Sequence, residues 1–375
     1  MAVYKIFPIA DTTLYSGYPS MNTGLDEIIE ASTNFLIGET QTSGQYPQSS
    51  RYLIKFDSSE ITDIINNKIS GSTWQSNLRV FVSNATGLSN TSSIAINAVA
   101  ENWSMGTGHY LDSPEPTNGT SWIWLNSSGS NKWTTGSFAS GTTGSYNLTN
   151  NPSSAGGGVW YTGSQASQSF DFYSDLDLNT NVTSIVSKWY SGSFNNYGFI
   201  VRQTESQEFV TNNNSQVTLK YFSRDTHTIY PPQLEFKWND FSYSTGSLTV
   251  LNQSPAYVNI EQNPGVFYSQ SINVFRVNAR PQYPARTWVT SSWYTENYAL
   301  PTASYYAIKD LDTDEYVIDF DTTYTKLSCD STGSFFKLYM NGLEPERYYK
   351  ILIQTIINGS TVVFDNNYNF KVVNG

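Results

Sequence analysis

Apolar and polar residues alternate in short runs along most of the chain, the period-two pattern of a strand that turns one face to a core. Tyr4-Lys-Ile-Phe7, Asp11-Thr-Thr-Leu-Tyr15 and Arg51-Tyr-Leu-Ile-Lys-Phe56 are the first such runs. In the third, Tyr52, Ile54 and Phe56 share the face expected to meet the core, and Arg51, Leu53 and Lys55 share the other. Residues 78–82, 94–99, 197–201, 217–222 and 233–238 continue the strand series. Two stretches break the rhythm with helical spacing: 61–65, apolar at i, i+3 and i+4, and 182–189, apolar at i, i+3, i+4 and i+7.

From about 240 the alternation is cleaner. Residues 248–251, 273–277, 305–309, 316–320, 335–340, 349–356, 362–364 and 370–373 form eight candidate strands, with turn signals at the short spacing of a β-sandwich. This places two domains at 1–238 and 239–375. Between 104 and 168 the pattern dissolves into Gly, Ser, Thr and Asn, yet Trp122, Trp124, Trp133 and Trp160 fall inside it. Disordered segments are poor in aromatics, so ordered loops folded over a sheet are expected there. No fixed-period repeat links the halves, which argues against a solenoid.

Composition sharpens this picture. Charged residues make up only 14 % of the 375, against about 25 % in an average soluble protein, while aromatic residues make up 15 %. The polar character therefore comes from uncharged Ser, Thr, Asn, Gln and Tyr, which favours pleated sheets and turns over helices. The expected fold class is all-β: a jelly-roll β-sandwich followed by an immunoglobulin-like β-sandwich. With Cys329 as the lone cysteine, no intrachain disulfide can form, and stability must come from packing. The formal charge is −11 without a basic run, which disfavours nucleic-acid binding. The opening residues lack the apolar core of a secretory signal, and no run of about 18 apolar residues occurs, so the expectation is a soluble chain made in a cytoplasm, with no membrane partner.

The residues able to carry chemistry are few. His109 and His227 sit in no pattern that activates a nucleophile or ligates a metal, and both read as exposed loop residues. Cys329 reads as a small buried filler. Gly156-Gly-Gly158 lacks the flanking strand, helix and Lys-Ser/Thr of a phosphate loop and reads as a corner. Trp103, Trp122, Trp124, Trp133 and Tyr110 could stack on a sugar, although tryptophans are more often packed inside. The run Asp310-Leu-Asp-Thr-Asp-Glu315 imitates a calcium loop, but Glu315 stands where the sixth-position Gly belongs and Asp321 where a bidentate Glu belongs. A charged hairpin turn is the better reading. No paired carboxylates for glycoside hydrolysis stand out. The reading is of a protein that is not an enzyme, with no catalytic residues, metal site or cofactor, and with ligand-binding residues left unassigned.

A resemblance adds to this. Ala10-Asp-Thr-Thr-Leu14, Asn22-Thr-Gly24, the strand Arg51 to Asp57, Trp103 before a Gly-rich loop, Val182 to Trp189, Asn196-Tyr-Gly-Phe199 and Phe222-Ser-Arg-Asp225 followed by Pro232-Gln-Leu234 occur in the order seen in DNRLRE-type domains. That likeness implies a jelly roll related to carbohydrate-binding modules. The 104–168 segment is longer than the family's common form, and Asp225 stands where the family often has Glu. In the second half, Leu343-Glu-Pro345 with Tyr349 six residues after Leu343 resembles the corner of fibronectin type III domains, where the tyrosine hydroxyl ties back to upstream backbone. Taken whole, with that opening joined to Asp330-Ser-Thr-Gly333, Glu344-Pro-Glu-Arg347 and Phe364-Asp365, the chain is similar to structural proteins of large tailed bacteriophages of the cyanophage type. The resemblance implies a non-enzymatic virion component of the neck, tail or capsid surface. Its partners would be other virion proteins and copies of itself. The alternative it leaves open is an adhesion module for a host-surface polysaccharide.

Overall fold

The computed structural model describes residues 2–34, 48–69, 73–88, 91–144, 156–208, 217–261, 263–284 and 296–375. The fold is all-β: strand accounts for 48 % and helix for 8 %. Two compact units are present, and neither is contiguous in sequence. The larger comprises Ile6–Lys68 and Gln75–Glu235; the C-terminal unit comprises Met1–Lys5, Ile69–Trp74 and Phe236–Gly375.

The larger unit is built on a nine-stranded sheet. In spatial order it runs Thr142–Gly144, Val159–Phe170, Ser92–Val99, Phe199–Gln203, Gln48–Lys55, Ile28–Asn34, Val217–Phe222 and Val82–Thr86, with Ala10–Tyr15 also paired to Gln48–Lys55. Pairing is antiparallel, with Phe199 opposite Ile54 and Ala98, which places β-branched and aromatic side chains on adjoining strands. The helix Thr183–Tyr190 buries Ile185, Val186 and Trp189, and Trp189 packs on Phe199 at 4.5 Å between ring centres. The other expected helix is Ser58–Asp63, continued by one wider turn over Ile64–Lys68. It starts where it does because the Asp57 carboxylate accepts the Ser59 amide at 2.6 Å, satisfying a donor that a first turn leaves open.

In the C-terminal unit, Ala256–Glu261, Ile272–Pro281, Gly333–Tyr339 and Ser328–Asp330 form one sheet. Val266–Tyr268, Ser360–Val373, Tyr348–Ile357, Ser304–Asp310 and Tyr316–Ile318 form another. Val258, Phe275, Val277, Phe336 and Leu338 of the first meet Tyr306, Ile308, Ile351, Ile353, Phe370 and Val372 of the second in one buried cluster, the filling of a sandwich. Tyr306 stacks on Phe336 at 4.3 Å, and Phe336 stacks on Phe275 at 5.2 Å. The Tyr349 hydroxyl donates to the Glu344 carbonyl at 3.0 Å, the corner tie expected from the Leu343–Tyr349 spacing. On the edge strand Ala256–Glu261, the Val258 carbonyl accepts from Asn366 Nδ2 at 2.6 Å and from the Tyr368 hydroxyl at 3.3 Å.

Three local expectations are corrected. Residues 248–251 form no strand: only Val250 bridges to Ala299, because the following Asn252-Gln-Ser-Pro255 has turn chemistry and stops the ladder. The irregular segment runs into the 12-residue strand Val159–Phe170, which gives no apolar alternation because its later half-buried positions are Ser164, Ala166 and Gln168. The strand starting at Arg51 is buried on both faces, with Arg51, Leu53, Tyr52 and Ile54 all at 0 % exposure.

Candidate functional site

Arg51 survives in the interior because its charge is met there. Its Nε and Nη2 donate to the two carboxylate oxygens of Glu208 at 2.5 and 2.9 Å, and its Nη1 donates to the Gly157 carbonyl at 2.6 Å. Both side chains of this fork-to-fork pair are fully buried. Trp122 lies 4.8 Å from the Arg51 guanidinium and Trp160 lies 5.3 Å from it, while Arg202 approaches the Trp160 ring at 4.5 Å. The result is an alternating stack, Trp122–Arg51–Trp160–Arg202, in which ring quadrupoles face desolvated cations. Gly157 is required beside it: with φ at +75°, a Cβ there would come within 2.8 Å of the Trp122 ring. The corner at Gly156–Gly158 thus exists to let backbone reach the guanidinium.

That stack uses one of the rings expected to be open for stacking, Trp122. Trp103 and Trp133 are likewise buried, and their indole N–H groups donate to Tyr197 O at 2.7 Å and Ser121 O at 2.9 Å. Trp124 is half-buried with the Lys132 ammonium 5.0 Å from its ring. Tyr110 alone among the five is exposed. It sits edge-to-face with Tyr15 at 5.3 Å and with Tyr18 at 6.0 Å, and exposed Leu111 follows it. Burial pushes the neighbouring Asp26 carboxyl up, and His109 and the Tyr110 amide pull it back. Asp112 accepts the His109 amide at 2.7 Å, and its carboxylate lies 3.5 Å from the imidazole Nδ1. Tyr18, Tyr110 and Leu111 with Asp26 and Asp112 therefore form an aromatic patch with carboxylates at its margin.

The residues that carry the resemblance pin loops. Asn22 donates to Met105 O and Thr120 O, both at 2.7 Å, and accepts from the amides of Gly108 at 2.9 Å and Gly24 at 3.3 Å. One amide side chain thus holds both ends of the Gly-rich loop. Asp11, in Asp-Thr-Thr-Leu, accepts the Arg224 amide at 2.7 Å, and the Arg224 guanidinium closes onto Ile9 O. Burial pushes the Asp11 carboxyl up to about 8, despite the lowering effect of the Arg224 amide.

The remaining candidates are placed as follows. His227 is exposed 3.3 Å from Glu27, and Cys329 is buried, with burial pushing its thiol up, so the reactive thiolate is disfavoured. Asp310 is engaged by Arg347 through Nε at 2.6 Å and Nη2 at 2.7 Å, and it accepts the amides of Asp312 and Thr313. Asp314 pairs with Lys309 at 2.9 Å, so the 310–315 run is a charged hairpin turn between paired strands. Among the described residues no group of three or more His, Cys, Asp or Glu side chains gathers to hold a metal ion, and no helix is long and apolar enough to cross a membrane.

Sequence reasoning passed over one feature. Asp171-Phe-Tyr-Ser174 forms a tight turn in which Asp171 accepts the Tyr173 amide at 2.9 Å and the Ser174 hydroxyl at 2.8 Å, while the Asp171 amide donates to Ser174 Oγ at 3.0 Å. On this self-locked turn Phe172 is 75 % exposed and Tyr173 91 %, their rings 5.3 Å apart. The signal was legible: Asp and Ser three apart bracket a turn, so aromatics between them must point outward. No family model, curated protein or solved structure matches the chain.

Proposed function

We propose that the chain is a non-enzymatic structural component of a tailed-phage virion, a neck, tail or capsid-surface protein that assembles in several copies through its β-sandwich units. The larger unit is read as a jelly roll and the C-terminal unit as immunoglobulin-like, a reading that the Tyr349 corner supports. The observation that carries the proposal is the Phe172–Tyr173 pair, two rings held in water by a turn that locks itself. Exposed aromatics on a rigid support suit contact with other proteins, because rings bring large area and little lost freedom on binding. The tryptophans and the buried ion pair support the same reading, since they stiffen the scaffold. The word phage rests on the resemblance alone. Mass spectrometry of purified virions, with copy number per particle, tests it: several copies per particle are expected, and absence from particles overturns it.

The Tyr110 patch favours a second reading, attachment to a host-surface glycan. Tyr18 and Tyr110 offer ring faces to sugar C–H groups, and Asp26 and Asp112 offer acceptors to hydroxyls. Titration with host polysaccharide tests this; saturable binding that Tyr110→Ala abolishes is the expected result, and binding indifferent to that change overturns it.

A further inference from the structure

The segment Ala2–Ile6 is buried along its whole length, with exposures of 0, 5, 8, 3 and 1 %. Its first four residues belong to the C-terminal unit, whereas the chain from Ile6 to Lys68 belongs to the larger one. In the C-terminal unit Val3 joins the sandwich core and Tyr4 meets Tyr339 edge-on at 5.4 Å. Lys5 donates from Nζ to Val317 O at 2.8 Å. Gly342 makes room for Lys5, since a Cβ at that position would lie 2.8 Å from the Lys5 Cβ. The slot is therefore shaped for this segment by residues more than three hundred positions away.

We infer that Ala2–Lys5 is an exchangeable donor strand, able to fill the same slot in a second copy of the chain. Three observations carry this. It is an edge strand, hydrogen-bonded on one side only, to Gln233–Trp238. Its connection is short and anchored beyond: Phe7 and Pro8 lead to Ile9, whose amide donates to Lys55 O at 2.8 Å and whose carbonyl accepts from Arg224. Pro8 also biases Phe7 to an extended backbone, the conformation of an outstretched arm. At the local concentrations of an assembly, a neighbour's arm then competes with the chain's own. The inference rests on the proposed assembly in copies, and it identifies one contact through which copies join.

The test uses full chains with Cys329→Ala. One carries Tyr4→Cys, the other Tyr339→Cys, and a third carries both. The doubly substituted chain should form an internal disulfide when dilute. The two singly substituted chains, mixed and left under mild oxidation, should give a covalent heterodimer whose yield rises with concentration. Hydrogen exchange on the unsubstituted protein gives a second measurement: the amides of residues 3–5 should exchange at least tenfold faster than those of strand Tyr348–Ile357. Amides 3–5 that exchange only with global unfolding, or mixtures without heterodimer, overturn the inference. Oligomers of the unsubstituted chain without heterodimer overturn strand exchange and leave assembly standing. Heterodimer in a protein missing from virions upholds the exchange and removes the virion reading.

Discussion

Tyr349 donates its hydroxyl to the carbonyl oxygen of Glu344 at 3.0 Å, across the corner where the chain enters strand Tyr348–Ile357. Tyr349 is 1 % exposed and belongs to the sandwich core, so its ring is held by packing whether or not the hydroxyl is present. Tyr349→Phe should therefore keep the fold and cost about 1 kcal/mol, the net worth of one hydrogen bond. Urea unfolding should show a lower midpoint at unchanged slope.

Breaking the buried Arg51–Glu208 pair is a harsher change. Glu208→Ala strands the Arg51 charge in a fully buried position and should cost about 3–5 kcal/mol. Replacing both with Met should recover most of that loss, because two apolar side chains need no compensation. Denaturant unfolding of the single and double variants checks both outcomes.

Asp11 sets a pH dependence with a definite sign. Its carboxyl is raised in the folded state from 3.8 to about 8. Below about pH 4 it is protonated in both states and its contribution is fully present. Between about 4 and 8 the folded state keeps a proton that the unfolded chain releases, so stability falls as pH rises, by up to about 1.4 kcal/mol per unit. Asp11→Asn should flatten that slope. Asp330, which Arg276 holds well below the ordinary carboxylate range, acts oppositely and only in acid, where stability is lost as pH falls. Unfolding midpoints measured from pH 3 to 9 separate the two windows.

The exposed pair gives a change that touches association and not folding. Phe172→Ser with Tyr173→Ser removes rings that bury little in the single chain, so stability should move by no more than about 0.5 kcal/mol. On the proposed virion reading, incorporation into particles, measured by quantitative mass spectrometry, should drop several-fold.

Much of the architecture could be read from alternation alone, because one-sided burial writes itself into a sequence at period two. The strands around 94–99, 217–222 and 349–356 and the helix ending at Trp189 were visible on that basis. Val159–Phe170 was hidden because its later half-buried positions are Ser164, Ala166 and Gln168, which contribute no apolar beat. Arg51 was misassigned for a related reason: a strand buried on both faces has no polar side, and an arginine enters only with a partner that pairing rules cannot find, here Glu208, 157 residues on. The tryptophans announced order in the 104–168 segment. Whether they faced a ligand or an arginine depended on Gly157, a glycine whose role needs three-dimensional neighbours to be seen.

The side-chain seal on Val258, made by Asn366 and Tyr368, bears on how such a protein tolerates crowding. A bare backbone edge will recruit any extended stretch that drifts past, whatever its sequence, and ribbons grow from such indiscriminate zippering. With that carbonyl already spoken for, this stretch of edge offers a passing strand one acceptor fewer.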